Sequence, residues 1–570
     1  MVSGNRPRSA GRLLGTETEY AIRFRPEEGV THPGNQVLFE AIRSAVERRV
    51  LTRPCSHVLE AVLTENGGCL YYEVDPSAPD GGLVEGGTPE CVAPRQLLVY
   101  QKAQDQLLTE AARDAESELR DRGLAGELRL LKNCRDAQGH VYGAQESYEV
   151  ELASGASLLA WRAAMGGLTA LTTLLTAAWW VVQLVVHGLF AILMLAGVLL
   201  VAAFLLVTRT PENRLGRYLR RVGRALDTLD RLETRVMAVV FSPVVALSAL
   251  AVRMFAFRPH HQGATAFLAS RCVFTGAGTL MPDDGFGLSE KGPAMRRLWR
   301  WTMSPDDRGL YEIGHLFKPL LPSFRARFGG LRLPRLDLDG IRGLFRRRLR
   351  LQIGLSDANL CEVAEYLKVA TTSLVLDLAE AGQLHGAPEL ADPIAATQVI
   401  GGDPTLRAWV PLEHSGNMTG LEIQRWYQER AREWVEQAEV RDLEAWRVVT
   451  LWGEVLETLE SHPEALFGRV DWITKLHLIS SAGDLAWAAR KKIDLRYHDL
   501  PDGYFTWLEA DGLVTRLTSD EEVARATHTP PQDTPARLRG DLVRTAPDAV
   551  LEQLDWRSAR VDGPVVRFRR

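Results

Sequence analysis

The segment LLGTETEYAI, residues 13–22, alternates two glutamates with hydroxyl and aromatic side chains. A period of two is typical of a β-strand, so Glu17 and Glu19 are predicted to project from one face of it. Two carboxylates on one face repel each other unless a cation neutralises them. Mg²⁺ shared with the phosphates of a nucleotide would do so, because Mg²⁺ prefers oxygen ligands. The alternative interpretation is an acidic strand face turned towards solvent.

A second group of acidic residues follows a hairpin signal. Asn66-Gly67 is typical of a tight turn, residues 70–74 have the composition of a strand, and residues 76–82 are rich in Pro and Gly, as loops are. If these strands are neighbours of the first, four side chains lie near the first glutamate pair: Tyr71, Glu73, Glu85 and Glu90.

Residues 163–208 contain no charged side chain, although the rest of the chain is charge-rich. A membrane-spanning helix needs about 20 mainly apolar residues. The stretch therefore predicts a membrane hairpin over residues 163–207, with a turn near Gln183, His187 and Gly188. The alternative is a pair of buried core helices in a large soluble domain.

The flanking residues predict the orientation of this insertion. Residues 209–235 carry eight Arg against four acidic side chains, and positive loops of this length stay in the cytoplasm. Residues 236–257 are apolar but include Pro243 and Arg253, which favours a helix lying in the membrane interface. If the apolar block crossed only once, residues 236–257 would return the chain and the Arg-rich loop would lie outside. We expect a multi-pass protein of the cell membrane that contacts lipid through the insertion, with its catalytic domain facing the cytoplasm.

Composition excludes several classes of protein. The chain has 570 residues, a net charge of -5 and no basic tract that would indicate nucleic-acid binding. Its six cysteines lack metal-site spacing, which fits a reducing compartment.

Ten sequence blocks, in order, resemble the family of Pup ligase and Pup deamidase/depupylase, the proteasome accessory factors related to glutamine synthetase and the carboxylate-amine ligases. The blocks are GTETEY at 15–20, NGGCLYYE at 66–73, EGGTPEC at 85–91, KNCRDAQGHVYGAQESY at 132–148, FLASRCVFTGAG at 267–278, SDANLCEVAEYLKVATTSLVLDLAEAG at 356–382, DPTLRAW at 403–409, DWITKLHLI at 471–479, IDLRYHD at 493–499 and TPPQDTPARLRG at 529–540.

This resemblance implies an α+β fold: a curved antiparallel sheet backed by helices, as in glutamine synthetase, with a small C-terminal domain. The helical membrane segment is then an insertion. We expect residues 1–153 and 259–480 to form the catalytic domain, residues 154–258 the insertion, and residues 481–570 the C-terminal domain.

Within the family, the amino-acid sequence resembles that of the depupylase branch at three places: residues 15–17, residues 88–91 with Pro94, and residues 357–360 with Thr371 and Thr372. That branch implies a hydrolase that cleaves a side-chain amide or isopeptide bond at the C-terminal Gln or Glu of a Pup-like modifier, with ATP and Mg²⁺ as cofactors. Its partners would be the modifier or its conjugates, in a proteasome pathway. One alternative is an ATP-dependent ligase that joins the modifier to Lys. Another is a membrane-anchored pseudoenzyme that binds nucleotide.

The resemblance also implies roles for individual residues. Four match the family's metal ligands: Glu17, Glu19, Tyr71 and Glu85. Arg271 resembles a phosphate-contacting arginine, with an ion pair at a strand end as the alternative. Glu73 stands where the family has its catalytic Asp, and Asp75, on the same strand face, is a second candidate. Gln145 replaces a family His, and His315 is a weak candidate for another missing histidine.

Overall fold

The computed structural model describes residues 11–56, 60–74, 81–208, 235–301, 307–328, 331–440, 442–547 and 550–568. The chain divides into two compact units. The first comprises Met1–Val150, Pro259–Glu312 and Arg350–Arg570, and the second comprises Glu151–Arg258 and Ile313–Leu349.

The strands are β1 (Leu14–Pro26), β2 (Thr52–Pro54), β3 (Val62–Thr64), β4 (Cys69–Val74), β5 (Gly82–Gly87), β6 (Gly126–Leu131), β7 (Gln145–Glu151), β8 (Thr279–Leu280), β9 (Phe286–Gly287), β10 (Met295–Arg300), β11 (Arg308–Glu312), β12 (Ser323–Phe328), β13 (Leu331–Arg335), β14 (Arg348–Ile353), β15 (Trp409–Pro411), β16 (Asn417–Thr419), β17 (Leu551–Leu554), β18 (Ser558–Val561) and β19 (Val565–Arg567).

The helices are α1 (Asn35–Arg49), α2 (Pro94–Asp121), α3 (Gly155–Thr208), α4 (Arg235–Phe255), α5 (Arg258–Ser270), α6 (Cys272–Thr275), α7 (Gly314–Phe317), α8 (Leu338–Gly343), α9 (Glu362–Glu380), α10 (Pro393–Gly401), α11 (Gly420–Glu436), α12 (Leu443–Ser461), α13 (Asp471–Ser481), α14 (Trp487–Tyr497), α15 (Tyr504–Ala510), α16 (Asp520–His528) and α17 (Pro535–Thr545).

A ten-stranded sheet organises the first unit. Its order is β10-β11-β14-β7-β1-β5-β4-β3-β2, and β6 also pairs with β1. β1 pairs with β7 at its start, with β5 in its middle and with β6 at its end, each time antiparallel. β10 and β11 run parallel. The fold is therefore a mixed sheet with many helices, which corrects the expectation of a purely antiparallel sheet.

The alternation predicted for β1 is seen in its contacts. Thr16 and Tyr20 face α2, where the Thr16 hydroxyl donates to Gln101 (2.8 Å) and the Tyr20 hydroxyl donates to Asp105 (2.7 Å). Tyr20 also belongs to a core with apolar side chains of α1, including Phe39. The odd-numbered residues of β1 are thereby placed on the opposite face of the sheet.

The C-terminal residues do not form a unit of their own, unlike the expected domain 481–570, because they belong to the first unit. Arg539 of α17 is fully buried and donates to the backbone oxygen of Gly67 and to the carboxylate of Glu90. The Asn66 amide donates to the backbone oxygen of Ala526. These contacts attach α16 and α17 to the hairpin turn between β3 and β4.

In the second unit, α3 is one continuous helix of 54 residues. The turn expected near Gln183, His187 and Gly188 is absent, so the structure does not contain the predicted hairpin. The helix has no proline, and a single glycine costs only about 1 kcal/mol relative to alanine. By length and composition, Gly155–Val186 and Arg235–Phe255 are long and apolar enough to cross a membrane. The Arg-rich residues 209–234 lie outside the described residues.

Candidate active site

Strand register brings the predicted acidic residues together. Glu19 lies opposite Glu85 in the pairing of β1 with β5, and Glu85 lies opposite Tyr71 in the pairing of β5 with β4. Glu17 and Glu73 are each two residues away on the same faces of their strands. The five residues therefore share the face of the sheet opposite α2.

Three of these carboxylates form a tight cluster. One oxygen from each of Glu19, Glu73 and Glu85 lies within 4.8 Å of the other two. Glu19 and Glu85 are buried, whereas Glu73 is exposed. Glu85 Oε2 is buried without a hydrogen-bond partner among the described residues. Such an orphaned carboxylate oxygen in a set of oxygen donors is what a hard divalent cation fits.

The cluster holds more negative charge than its surroundings neutralise. Burial, and then repulsion from Glu73, raise the pKa of Glu19 to about 7. Burial, and then the neighbouring Glu73, hold the pKa of Glu85 well above its usual range. Burial raises the pKa of Tyr71 as well. At neutral pH this cluster therefore keeps a proton or binds a cation.

Glu17 lies beside the cluster and has partners of its own. Its carboxylate accepts from Arg350 (2.8 Å) and from Gln352 (3.2 Å), both in β14. Gln145 lies opposite Glu17 across the pairing of β1 with β7 and is hydrogen bonded to Gln352. Gln145 and Gln352 thus form a pair of neutral amides beside the Glu17 carboxylate.

Arg271 is held by the fold, which corrects its expected role in binding a phosphate. Its guanidinium is 2% exposed and forms a two-pronged ion pair with Glu146 (2.5 and 2.9 Å). It also donates to the Thr372 hydroxyl (2.6 Å) and to the backbone oxygen of Leu355 (2.6 Å). The ion-pair alternative therefore describes Arg271, because its donors are already used in the protein interior.

Two cations near Glu19 were missed by the sequence analysis. Lys291 and Arg308 both lower the pKa of Glu19, as does the Gly143 N–H, which donates to Glu19 Oε2 (2.9 Å). Burial lowers the pKa of both cations. Lys291 donates to the backbone oxygen of Ala144 (2.8 Å). No motif marks either residue, and only the sheet order brings β11 and its Arg308 close to β1.

The other expected residues lie elsewhere. Asp75 is outside the described residues, and His315 belongs to the second unit, in α7.

A second close group of possible metal ligands, Glu290, Asp494 and His498, is fully buried. Two lysines already contact Asp494 there, at 2.7 Å from Lys475 and 2.6 Å from Lys491. The second group is therefore neutralised by the protein itself.

Comparisons with known proteins identify relatives over almost the whole chain. A family model described as "Pup-ligase protein" matches residues 12–299 and 342–560. The Pup–protein ligase of Acidimicrobium ferrooxidans is 28% identical over 565 residues, which cover 96% of this chain and 92% of that protein. The Pup–protein ligase of Mycolicibacterium smegmatis is 26% identical over 557 residues, with the same coverage of both chains.

Two solved structures show the same fold. A complex of the prokaryotic ubiquitin-like protein Pup with its ligase PafA superposes with a TM-score of 0.64, at 23% identity over 99% of this chain and 90% of that chain. The ligase PafA in complex with ADP superposes with a TM-score of 0.57, at 23% identity over 95% of this chain and 92% of that chain.

The expected assignment to the depupylase branch is wrong, because these relatives are named ligases. Three of the residues on which it rested, Thr88, Asp357 and Thr372, make contacts that hold the fold. The Thr88 hydroxyl accepts from the backbone N–H of Thr16 (3.0 Å), and Thr372 accepts from Arg271. Asp357 accepts from the backbone N–H groups of Glu290 and Lys291. Contacts of this kind indicate the architecture and do not distinguish the reactions.

Proposed function

The chain belongs to the Pup-ligase family, and on this premise we propose that it is an ATP-dependent ligase. It joins the C-terminal glutamate of a Pup-like small protein to a lysine side chain of a target through an isopeptide bond. The names of its relatives support this activity, and an ADP complex of a similar structure supports the use of ATP. The observation that carries the proposal is the cluster of Glu19, Glu73 and Glu85, in which two carboxylates are buried and one is exposed.

The buried part of the cluster suits Mg²⁺. Glu19 and Glu85 would hold the ion, with Glu17 and Tyr71 beside them on the same face. When bound, Mg²⁺ would neutralise phosphate charge during phosphoryl transfer. Arg308 and Lys291 supply further positive charge near Glu19, and we assign to Arg308 the phosphate contact first expected of Arg271.

The reaction needs activation because a carboxylate does not react with an amine at a useful rate. The side-chain carboxylate of the modifier's terminal glutamate attacks the γ-phosphorus of ATP, the bond to ADP breaks, and an acyl phosphate forms. The lysine amine then attacks the acyl carbon, and phosphate leaves. One proton of the amine must pass to a base during this second step.

Glu73 is the base in this scheme. It is the exposed carboxylate of the three and can reach a substrate amine, whereas Glu19 and Glu85 are buried. Its side chain is one methylene longer than that of the family's Asp. The longer side chain moves the carboxylate by about 1.5 Å. A displacement of this size lowers the reaction rate unless the backbone of β4 is shifted to offset it.

The experiment uses the full chain in detergent with ATP, Mg²⁺, Pup ending in Glu and a lysine-containing acceptor. Conjugate and ADP are measured in the same samples. The proposal predicts that they form in equal amounts. Glu73→Gln is expected to lower conjugation about 10²–10⁴-fold, whereas Glu552→Gln, which changes an exposed side chain of β17, is expected to leave it unchanged. If wild-type protein binds ATP but forms neither product, the proposal is wrong and the chain is a nucleotide-binding pseudoenzyme.

A further inference from the structure

Apolar side chains cover the outside of α3 and α4. More than half of the exposed large apolar side chains in the described residues lie on these two helices. They include Leu174, Val181, Leu184, Leu189, Leu193 and Leu200 on α3, and Val239, Leu247 and Leu250 on α4. Leu193 and Leu200 are 70% and 72% exposed. A surface of this size requires an occupant, because soluble proteins rarely expose large contiguous apolar patches.

The buried sides of the same helices are comparatively polar. Thr172, Thr176 and Gln183 of α3 are buried, as is Ser248 of α4. A helix on a soluble domain turns its polar side chains outwards, whereas here these polar side chains lie among buried apolar ones such as Trp161 and Phe241. Small and polar residues between helices, with apolar residues outside, are typical of helices packed within a membrane.

The distribution of the exposed residues distinguishes a bilayer from a protein partner. Val181, Val182, Leu184, Val185 and Val186 are all exposed, and at 3.6 residues per turn they cover about 200° of the helix circumference. One partner surface covers one side of a helix, whereas lipid surrounds it. The 21 residues of α4 are about 32 Å long at 1.5 Å per residue, close to the hydrocarbon thickness of a bilayer.

The two helices share one base, at which the chain enters and leaves the second unit. The backbone N–H of Phe257, just after α4, donates to the oxygen of Leu152, just before α3 (2.8 Å). The Trp161 indole donates to the oxygen of Leu344 (2.7 Å). Because Leu152 and Phe257 are neighbours, any membrane crossing by α3 must be followed by a crossing back before Phe257.

This base is rich in exposed positive charge. Arg162 donates to the backbone oxygen of Phe345 (3.1 Å) and is itself exposed. The other exposed arginines near the helix ends are Arg253, Arg258, Arg342, Arg346 and Arg347, of which Arg342 pairs with Asp339 and Arg347 with Glu151. Arginines at one end of a membrane helix bind anionic headgroups.

We propose that the exposed apolar parts of α3 and α4 are embedded in a lipid bilayer, with the arginine-rich base against anionic headgroups. The catalytic unit is then tethered at the membrane. The proposal does not depend on the reaction, because it concerns only surfaces of the second unit.

The test starts with full-length protein expressed in a bacterium, whose membranes are washed with high salt and then with alkaline carbonate. The protein is expected to stay in the pellet. A variant with Val181→Lys, Leu184→Lys and Leu189→Lys is expected to move into the supernatant. The matched control changes three exposed leucines of the first unit, Leu443, Leu485 and Leu513, to Lys and is expected to stay in the pellet. Release of wild-type protein by salt or carbonate would overturn the proposal.

A second measurement is independent of whether the lysine variant folds. Wild-type protein is reconstituted in phosphatidylcholine and phosphatidylglycerol vesicles that contain a lipid-soluble photoactivatable diazirine. Label is expected in peptides covering residues 174–200 and 236–254. Labelling no greater there than in α11 or α12 would refute embedding, as would a stable detergent-free dimer in which these helices are protected.

Discussion

Binding of Mg²⁺ to the carboxylate cluster should weaken as pH falls. Below pH 7 Glu19 mainly holds a proton, because burial and repulsion from Glu73 raise its pKa to about 7. Mg²⁺ must displace that proton, so its dissociation constant should rise about tenfold between pH 8 and pH 6. Glu85, whose pKa is also raised, acts in the same direction and steepens the dependence.

The raised pKa of Glu19 also affects the free energy of unfolding. The folded protein holds the Glu19 proton up to about pH 7, whereas an unfolded chain releases it near the ordinary glutamate pKa of 4.5. In the absence of metal, stability is therefore lost as pH rises through this window. The loss reaches about 3 kcal/mol above pH 7, at 1.36 kcal/mol per pKa unit. Mg²⁺ should raise the unfolding temperature more at pH 8 than at pH 6.

Isothermal titration calorimetry with Mg²⁺ at pH 6, 7 and 8, together with thermal unfolding with and without Mg²⁺, measures both effects. In Glu19→Gln the pH dependence should flatten, whereas in Glu552→Gln it should match wild type. Equal affinity at pH 6 and pH 8 in the wild-type protein would refute the assignment of the cation to this cluster.

Three further predictions concern single residues. Glu73→Gln should lower conjugation about 10²–10⁴-fold while nucleotide affinity, measured by fluorescence titration, stays within about twofold; unchanged conjugation would exclude Glu73 as the base. Glu146→Gln should cost about 3–5 kcal/mol in denaturant unfolding, because it leaves the buried Arg271 without its counter-charge; a loss below 1 kcal/mol would contradict that role of the ion pair. Gly468→Ala should cost about 2 kcal/mol in the same assay, since φ is +72° and a Cβ would lie 2.1 Å from the Leu513 oxygen; wild-type stability would contradict the geometry.

Local patterns predicted the features that depend on neighbours in sequence. Alternation along β1 placed Glu17 and Glu19 on one face, since side chains alternate along any strand. The hairpin signal placed Tyr71 and Glu73 on another strand, β4, which lies two strands from β1 in the same sheet. These predictions needed no knowledge of distant parts of the chain.

Contacts across long sequence separations were not predictable in this way. Arg308 approaches Glu19 only because β10, β11, β14 and β7 lie in that order beside β1. Arg271 was misassigned for the same reason, because its partner Glu146 is 125 residues away. Hydropathy alone likewise does not distinguish one long apolar helix from two short ones, so the continuity of α3 was missed.

The ratio of ADP to isopeptide bond tests the central claim most directly. Full-length protein with ATP, Mg²⁺, Pup ending in Glu and a lysine acceptor is followed by mass spectrometry of the conjugate and by ADP release. We predict one ADP for each bond formed in the wild-type protein, and conjugation lowered about 10²–10⁴-fold in Glu73→Gln. Tight ATP binding with no conjugate, or conjugate formed without ADP, would contradict it.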